Sequence, residues 1–384
     1  MSLKEVYAPH LGRNVKFGRK IPEIILPHPR MSELECIKDK SVVLPPDPNT
    51  VDWTPKALTC LQQLFMNDSL GDCVIAAIMH ALGIWTGNAG TLVTATQAQV
   101  LSAYEAIGGY VPGQPNTDNG CNIQTMFSYF MNNTLPDGSK LLGYVGVDPT
   151  NPTQVIRAIN LFENLILGLA LPDAWISPFP SANGFVWDVA GNIDPNNGHC
   201  IVGGGGSLPG FKVVGYTAEG VVICTWGLLG IITWAALAKY AVNANSGECY
   251  SVLNEDILTK NGSAPNGFNW LALVQYWDAM GGNVPVPNPA PPAPSPTPTP
   301  STQVTCSQVL GWLSAAFKTS APLMFRNQAL QVAQKAVAKD WPNASGHDVR
   351  RILAAKDIVV TDAEIEAVLK INKNPSFRKS WDKK

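Results

Sequence analysis

The chain has 384 residues, 46% of them hydrophobic and 15% charged, which is enough apolar material for a sizeable core and more length than one domain usually takes. Its eight cysteines are scattered with no CxxC pair, which argues against a zinc ribbon and against a compact disulfide scaffold. The net charge of −2 hides an asymmetry: residues 1–283 sum to −8 and residues 303–384 to +6.

Residues 1–50 are rich in Pro, Lys and Arg with short apolar patches, and read as an extended arm that wraps the body or covers a cleft. The first twenty mix charges throughout and hold no apolar core, so no secretory signal peptide is expected. From Val51 to about residue 282 helical and strand-like patterns follow one another. VLSAYEAIGGY and IQTMFSYFMNN have helical spacing, while KLLGYVGVD, HCIVGGG, FKVVGY and GVVICTW have strand character. Helical patterns crowd the first half and strands the second, an order that predicts an α+β body with two lobes rather than a repeated βαβ sheet.

The uncharged run GVVICTWGLLGIITWAALA, Gly220 to Ala238, is long enough to cross a bilayer. Gly227 and Gly230 break its middle and β-branched residues flank them, which predicts a buried strand, a turn and a second apolar element, not an integral membrane segment. Residues 283–302 form a Pro/Ser/Thr linker, extended because proline fixes φ and removes N–H donors. Residues 303–384 read as a basic module of three or four helices; TDAEIEAVLK opens with the Thr361/Glu364 capping-box pattern. Its charge suits an anionic partner, and packing against another protein is the equal alternative.

Chemistry concentrates in NDSLGDCVIAAIMH. Cys73 stands where a helix should begin, and the unpaired N–H groups of a helix N-terminus favour a thiolate. On residue type alone, a buried structural cysteine is the other reading. His80, two turns further along an apolar helix, is expected to be a core histidine. A zinc site built from Cys73, His80, His199 and Cys200 is disfavoured, since adjacent His199 and Cys200 point to opposite faces of a strand. GHCIVGGGGSLPG lacks the Lys-Ser/Thr of a phosphate loop, and its glycines are expected to form a turn after the histidine.

VDW (Val51 to Trp53), NDSLGDC, NNGHCIVGGG with His199, and VVICTWGLLGIITW occur in the order and rough spacing of the papain-like cysteine peptidases. DNGCNIQTMFSYFMNN resembles the Gly-containing helix after that family's active-site helix, and QVIRAINLFENLILGLAL its helix leading into a strand before the histidine. The resemblance spans about residues 51–255 and is to a divergent, bacterial or phage-type member. It implies a papain-like two-lobed α+β fold, a helical lobe plus a β-barrel-like lobe, with Cys73 as nucleophile and His199 as the base that later protonates the leaving amine. Asn67, six residues before Cys73, replaces the family's glutamine as side-chain donor of the oxyanion hole, beside the backbone N–H of Cys73.

Two departures accompany these matches. The Asn of the family's Asn-Ser-Trp-Gly falls on Cys224, which leaves the orientation of the imidazole to a backbone carbonyl, Thr225 or Asn197, with Trp226 as shield. The family's Trp after the cysteine is Val74 here. The expectation is therefore a cysteine peptidase or amide hydrolase working through a thioester on a peptide or protein substrate, with no cofactor and no metal. The alternative is a catalytically inactive papain-like structural or binding protein of a phage particle or other assembly. The corresponding location is cytoplasmic or virion-associated.

Overall fold

The computed structural model describes residues 3–254 except 24, 27 and 33–45. The expected linker at 283–302, the expected helical module at 303–384, and Cys36 and Cys306 lie outside the described residues.

The arm begins with a hairpin of β1 (Glu5–Ala8) and β2 (Arg13–Lys16), antiparallel, with Val6 opposite Val15. Gly12 turns it with φ of 66°, a conformation that costs glycine nothing. Beyond Lys16 the chain runs across the body, and β3 (Thr50–Asp52) then joins the main sheet beside residues 205–207.

Four helices follow: α1 (Leu58–Leu61), α2 (Cys73–Ala89), α3 (Gln97–Gly108) and α4 (Ile123–Asn132). Their ends follow local rules. Thr96 and Gln99 close a capping box on α3, the Asn122 side chain accepts from the N–H groups of Gln124 and Thr125 on α4, and Gly90 in the left-handed region ends α2. α2 is buried from Cys73 to Asn88 and is apolar on most of its surface, while its polar His80, Thr86 and Asn88 bond to backbone carbonyls.

The second half of the body carries β4 (Leu141–Gly146), α5 (Pro152–Phe162), β5 (Leu165–Ala170), β6 (Phe185–Trp187), β7 (Gly198–Ser207), β8 (Gly220–Thr225), β9 (Leu228–Thr233), α6 (Trp234–Tyr240) and β10 (Glu248–Asn254). The strands form one sheet in the order β4-β10-β5-β7-β8-β9-β6, with β3 attached to β7. All pairs are antiparallel except β6 with β9. The molecule is thus α+β, as its order of patterns implied. β7 lies in the interior of the sheet and packs against α2, which brings the strand holding His199 to the helix that starts at Cys73.

The uncharged run from Gly220 resolves into β8, a tight turn at Trp226 and Gly227 (φ of 44° and 75°), β9 and α6. No helix among the described residues is long and apolar enough to cross a membrane.

Two expectations fail locally. FKVVGY is not a strand: residues 211–216 form turns in which Val213 packs on Val222 and Ile231 while Val214 stands 95% exposed. Alternation there reflects one loop residue gripping the sheet. The glycines after His199 do not make a turn either. Gly203 to Gly206 continue β7, where a Cβ on Gly204 would lie 2.8 Å from Ile84 of α2 and one on Gly206 would lie 2.9 Å from the Gly220 carbonyl. Close approach of helix and neighbouring strand requires them, and the pairing with β8 slips between Gly203 and Gly205.

Candidate active site

Cys73 is the first residue of α2 and is fully buried. The backbone N–H groups of Cys200 and Gly18 face its sulfur and favour the thiolate, but burial outweighs them and pushes the thiol up to about 12. The N-terminal position gives the helix-end field expected from sequence, yet enclosure decides the protonation state.

His199, on β7, is held on three sides. Its Nε2 lies 2.8 Å from the Thr225 hydroxyl oxygen, its ring stacks on Trp226 at 3.9 Å and 5°, and Phe17 meets it edge-on at 5.9 Å. Nδ1 has no hydrogen-bond partner among the described residues. Burial lowers the imidazole to about 3, helped by the positive charge of Arg19. Cys73 and His199 are therefore a thiol and a neutral imidazole here, without a hydrogen bond between them.

The remaining sequence candidates separate clearly. Asn67 is buried beside Asp72, and its Nδ2 reaches the Leu70 carbonyl at 3.4 Å. Cys224 donates to the Leu61 carbonyl at 3.1 Å, on the face of β8 opposite Thr225, and so does not orient His199. Asn197 donates to the Leu171 carbonyl and to Asp173, again away from the imidazole. Of the three substitutes read from sequence for the orienting group, only Thr225 makes contact. His80 is the core histidine expected, its Nε2 2.9 Å from the Gln63 carbonyl and burial holding it down to about 4. Among the described residues no group of three His, Cys, Asp or Glu side chains is placed to hold a metal ion.

What sequence reasoning missed is the arm's route. A Cβ on Gly18 would fall 1.7 Å from the Gly71 carbonyl oxygen, and one on Gly120 would fall 1.9 Å from the Gly18 carbonyl oxygen, so the arm passes between two walls with no space for a side chain. Main-chain bonds fix it there: Cys121 N–H to Gly18 at 2.9 Å, Arg19 N–H to Gly198 at 3.0 Å and Lys20 N–H to Cys121 at 2.9 Å. Asp118 stabilises both walls, accepting from Gly71 N–H and from the Tyr104 hydroxyl, which itself accepts from Gly120 N–H. Lys16 of the arm completes this network with an ion pair to Asp118 at 2.9 Å. Upstream, His10 lies 3.1 Å from the Trp226 carbonyl and stacks on Phe179. The one sequence signal was a glycine beyond the hairpin turn: Gly18 follows Phe17 and precedes the charged Arg19 and Lys20.

No family model matches the chain and no curated protein matches it. Among solved structures it is similar to xylellain, a cysteine protease from Xylella fastidiosa, at 11% identity and a TM-score of 0.44 over 66% of this chain and 98% of that one. It is also similar to digestive procathepsin L 3 of the Tenebrio molitor larval midgut, at 11% identity and 0.41 over 66% and 83%. The Amb a 11 cysteine protease of ragweed pollen, in its proform, aligns at 14% identity and 0.39 over 55% and 66%.

Proposed function

We propose that the chain is a papain-like cysteine peptidase or amide hydrolase whose nucleophile is Cys73 and whose acid-base group is His199, and that residues 17–20 of its own arm keep it latent. The observation that carries this reading is the half-anchored imidazole. Thr225 and Trp226 fix one edge and one face of the His199 ring, while Nδ1 is left unpaired. Base action at Nδ1 requires the tautomer whose Nε2–H donates to the Thr225 oxygen, and the contact allows it.

With the arm withdrawn, water reaches both groups and removes the desolvation that now keeps them neutral. The Cys73 proton passes to His199 Nδ1, and the thiolate sulfur attacks the amide carbonyl carbon, its C=O electrons moving onto oxygen. Collapse of that oxyanion expels the amine, which takes the proton from His199 and leaves a thioester. Water attacks the thioester with His199 accepting its proton, and the acid product and the Cys73 thiol are released. The backbone N–H of Cys73 and the amide of Asn67 are the donors assigned to the oxyanion, the latter by giving up its long contact to Leu70. Substrate is a peptide or protein; neither metal nor cofactor takes part.

The second reading is a papain-like body without turnover, serving a phage particle or another assembly, and the tight seat of the arm favours it. An epoxysuccinyl peptide separates the two. A single adduct at Cys73 in the Gly18→Val chain, absent when His199→Ala is added, supports the peptidase; no adduct at Cys73 in an open, folded chain supports the silent body.

A further inference from the structure

Arg19 belongs to the arm, yet its side chain has no exposure at all. It fills a pocket in the body. Gly168 of β5 forms one wall, where a Cβ would lie 2.2 Å from the Arg19 Nε, and Ile123 of α4 lies against the same spot. Glu248 of β10 is the floor: its Oε2 accepts from Nε at 3.1 Å and from Nη2, and its Oε1 accepts from the Tyr250 hydroxyl at 3.0 Å. At the rim the Ser246 carbonyl accepts from Nη1 at 2.8 Å. The main chain of Arg19 is held only by bonds that any residue can make, to Gly198 and around Cys121. The neighbouring Gly18 N–H faces the Cys73 sulfur.

A buried carboxylate without a cation is costly, and Tyr250 alone does not neutralise Glu248. The pocket therefore stays demanding after the arm leaves. Its acceptors are spread over the Glu248 carboxylate and a separate carbonyl, which suits the forked guanidinium better than the compact ammonium of lysine. We infer that this pocket selects the substrate: the cleft takes a peptide bearing arginine next to the residue presented to Cys73, with Glu248 as the specificity-determining residue. The inference rests on the reading of this cleft as the substrate cleft, and the arm shows the ligand chemistry in place.

The test is binding, so it does not need a working nucleophile. Two fluorescent decapeptides, NVKFGRKIPE (residues 14–23) and its Arg19→Leu counterpart, are titrated into the Gly18→Val chain, in which the arm no longer fits. The expected result is that the arginine peptide binds about tenfold tighter or better, as charged hydrogen bonds in a buried site imply, and that adding Glu248→Gln removes the difference. Equal affinities for the two peptides overturn the inference. If Gly18→Val fails to fold or keeps its arm seated, the Arg19→Ala chain, whose pocket is empty, is used with agmatine as the probe. A rise in Tm with agmatine, lost when Glu248→Gln is added, supports the pocket, and no rise overturns it. Failure of the catalytic reading is visible separately, as an unlabelled Cys73 in a chain that still prefers the arginine peptide.

Discussion

His199 meets a hydroxyl, an indole and a phenyl ring on three sides, and each contact does something different. Trp226 sets the plane of the imidazole and excludes water from one face, Phe17 closes the ring from the arm, and Thr225 gives Nε2 a hydroxyl partner. Thr225→Val keeps the shape and removes the acceptor. In the arm-opened chain it is expected to lower kcat about tenfold or more with little change in KM, and Thr225→Ser to restore most of the loss; steady-state kinetics across pH check it. Sequence placed His199 and Cys73 correctly at a strand start and a helix start, because cues within a few residues fix both. It left the orienting residue open among a backbone carbonyl, Thr225 and Asn197, since neither the direction of Asn197 nor the face of β8 that Thr225 takes is set by local sequence. Cys224 and Thr225 alternate, and only the packed neighbours, Leu61 on one side and His199 on the other, decide which of them meets the imidazole. Arg19 and Glu248 lie outside every motif. Glu248 was visible only as a lone acid at the head of the uncharged strand ECYSVLN, a residue type rarely buried without a partner.

At the scale of elements, α2 and β7 are built to touch. Gly204 of β7 lets Ile84 of α2 come close, while Gly203, Gly205 and Gly206 lie against Val221, the Val51 carbonyl and the Gly220 carbonyl, so close approach on several sides, more than any turn, explains the GGGG run. The end of α5 carries a different tension. Glu163 ends that helix in the left-handed region with φ of 60°, and its carboxyl is buried without a hydrogen-bond partner among the described residues. Burial raises it to about 9, well above the usual carboxylate range, so it is protonated in the fold. A raised carboxyl pKa makes its stabilising contribution full below the unfolded value, 4.5, and drains it as pH rises toward 9. Glu163→Gln is therefore expected to stabilise the protein more at pH 8 than at pH 5, by roughly 1–3 kcal/mol of difference, measured by denaturant unfolding at both pH values. Equal effects at the two pH values would show that Glu163 is not held neutral.

Across the whole molecule the arm is the feature that sequence reveals least. Its composition gave an extended segment able to cover a cleft, but its seat depends on Gly18 meeting Gly71 and Gly120, which lie 53 and 102 residues away in the chain. No local period encodes such a meeting. Ion pairs spread along the hairpin, Lys4 with Asp173 and Asp194, Arg13 with Asp68 and Lys16 with Asp118, guide the arm from a partly exposed side. The more exposed of these, at Lys4 and Arg13, contribute little each and weaken in salt, whereas the enclosed Arg19–Glu248 pair is hardly screened. The seat is thus held by shape, by main-chain bonds to Gly198 and Cys121, and by the buried Arg19–Glu248 pair. The fold class and the order of helices and strands were legible because burial patterns are local; the enclosure of Cys73 and His199 was not, because it depends on a distant segment.

On the proposed function, Cys73 and His199 form a reactive pair that the arm keeps neutral. The most direct test is the rate of iodoacetamide alkylation at Cys73 as a function of pH, read by mass spectrometry in the full chain and in its Gly18→Val form. The expected result is negligible reaction below about pH 8 in the full chain, as for an enclosed thiol, and fast reaction at mildly acidic pH in the Gly18→Val form, lost on adding His199→Ala. A Cys73 in the opened chain that reacts only at alkaline pH, and no faster than the other cysteines, would show that the arm covers no reactive pair.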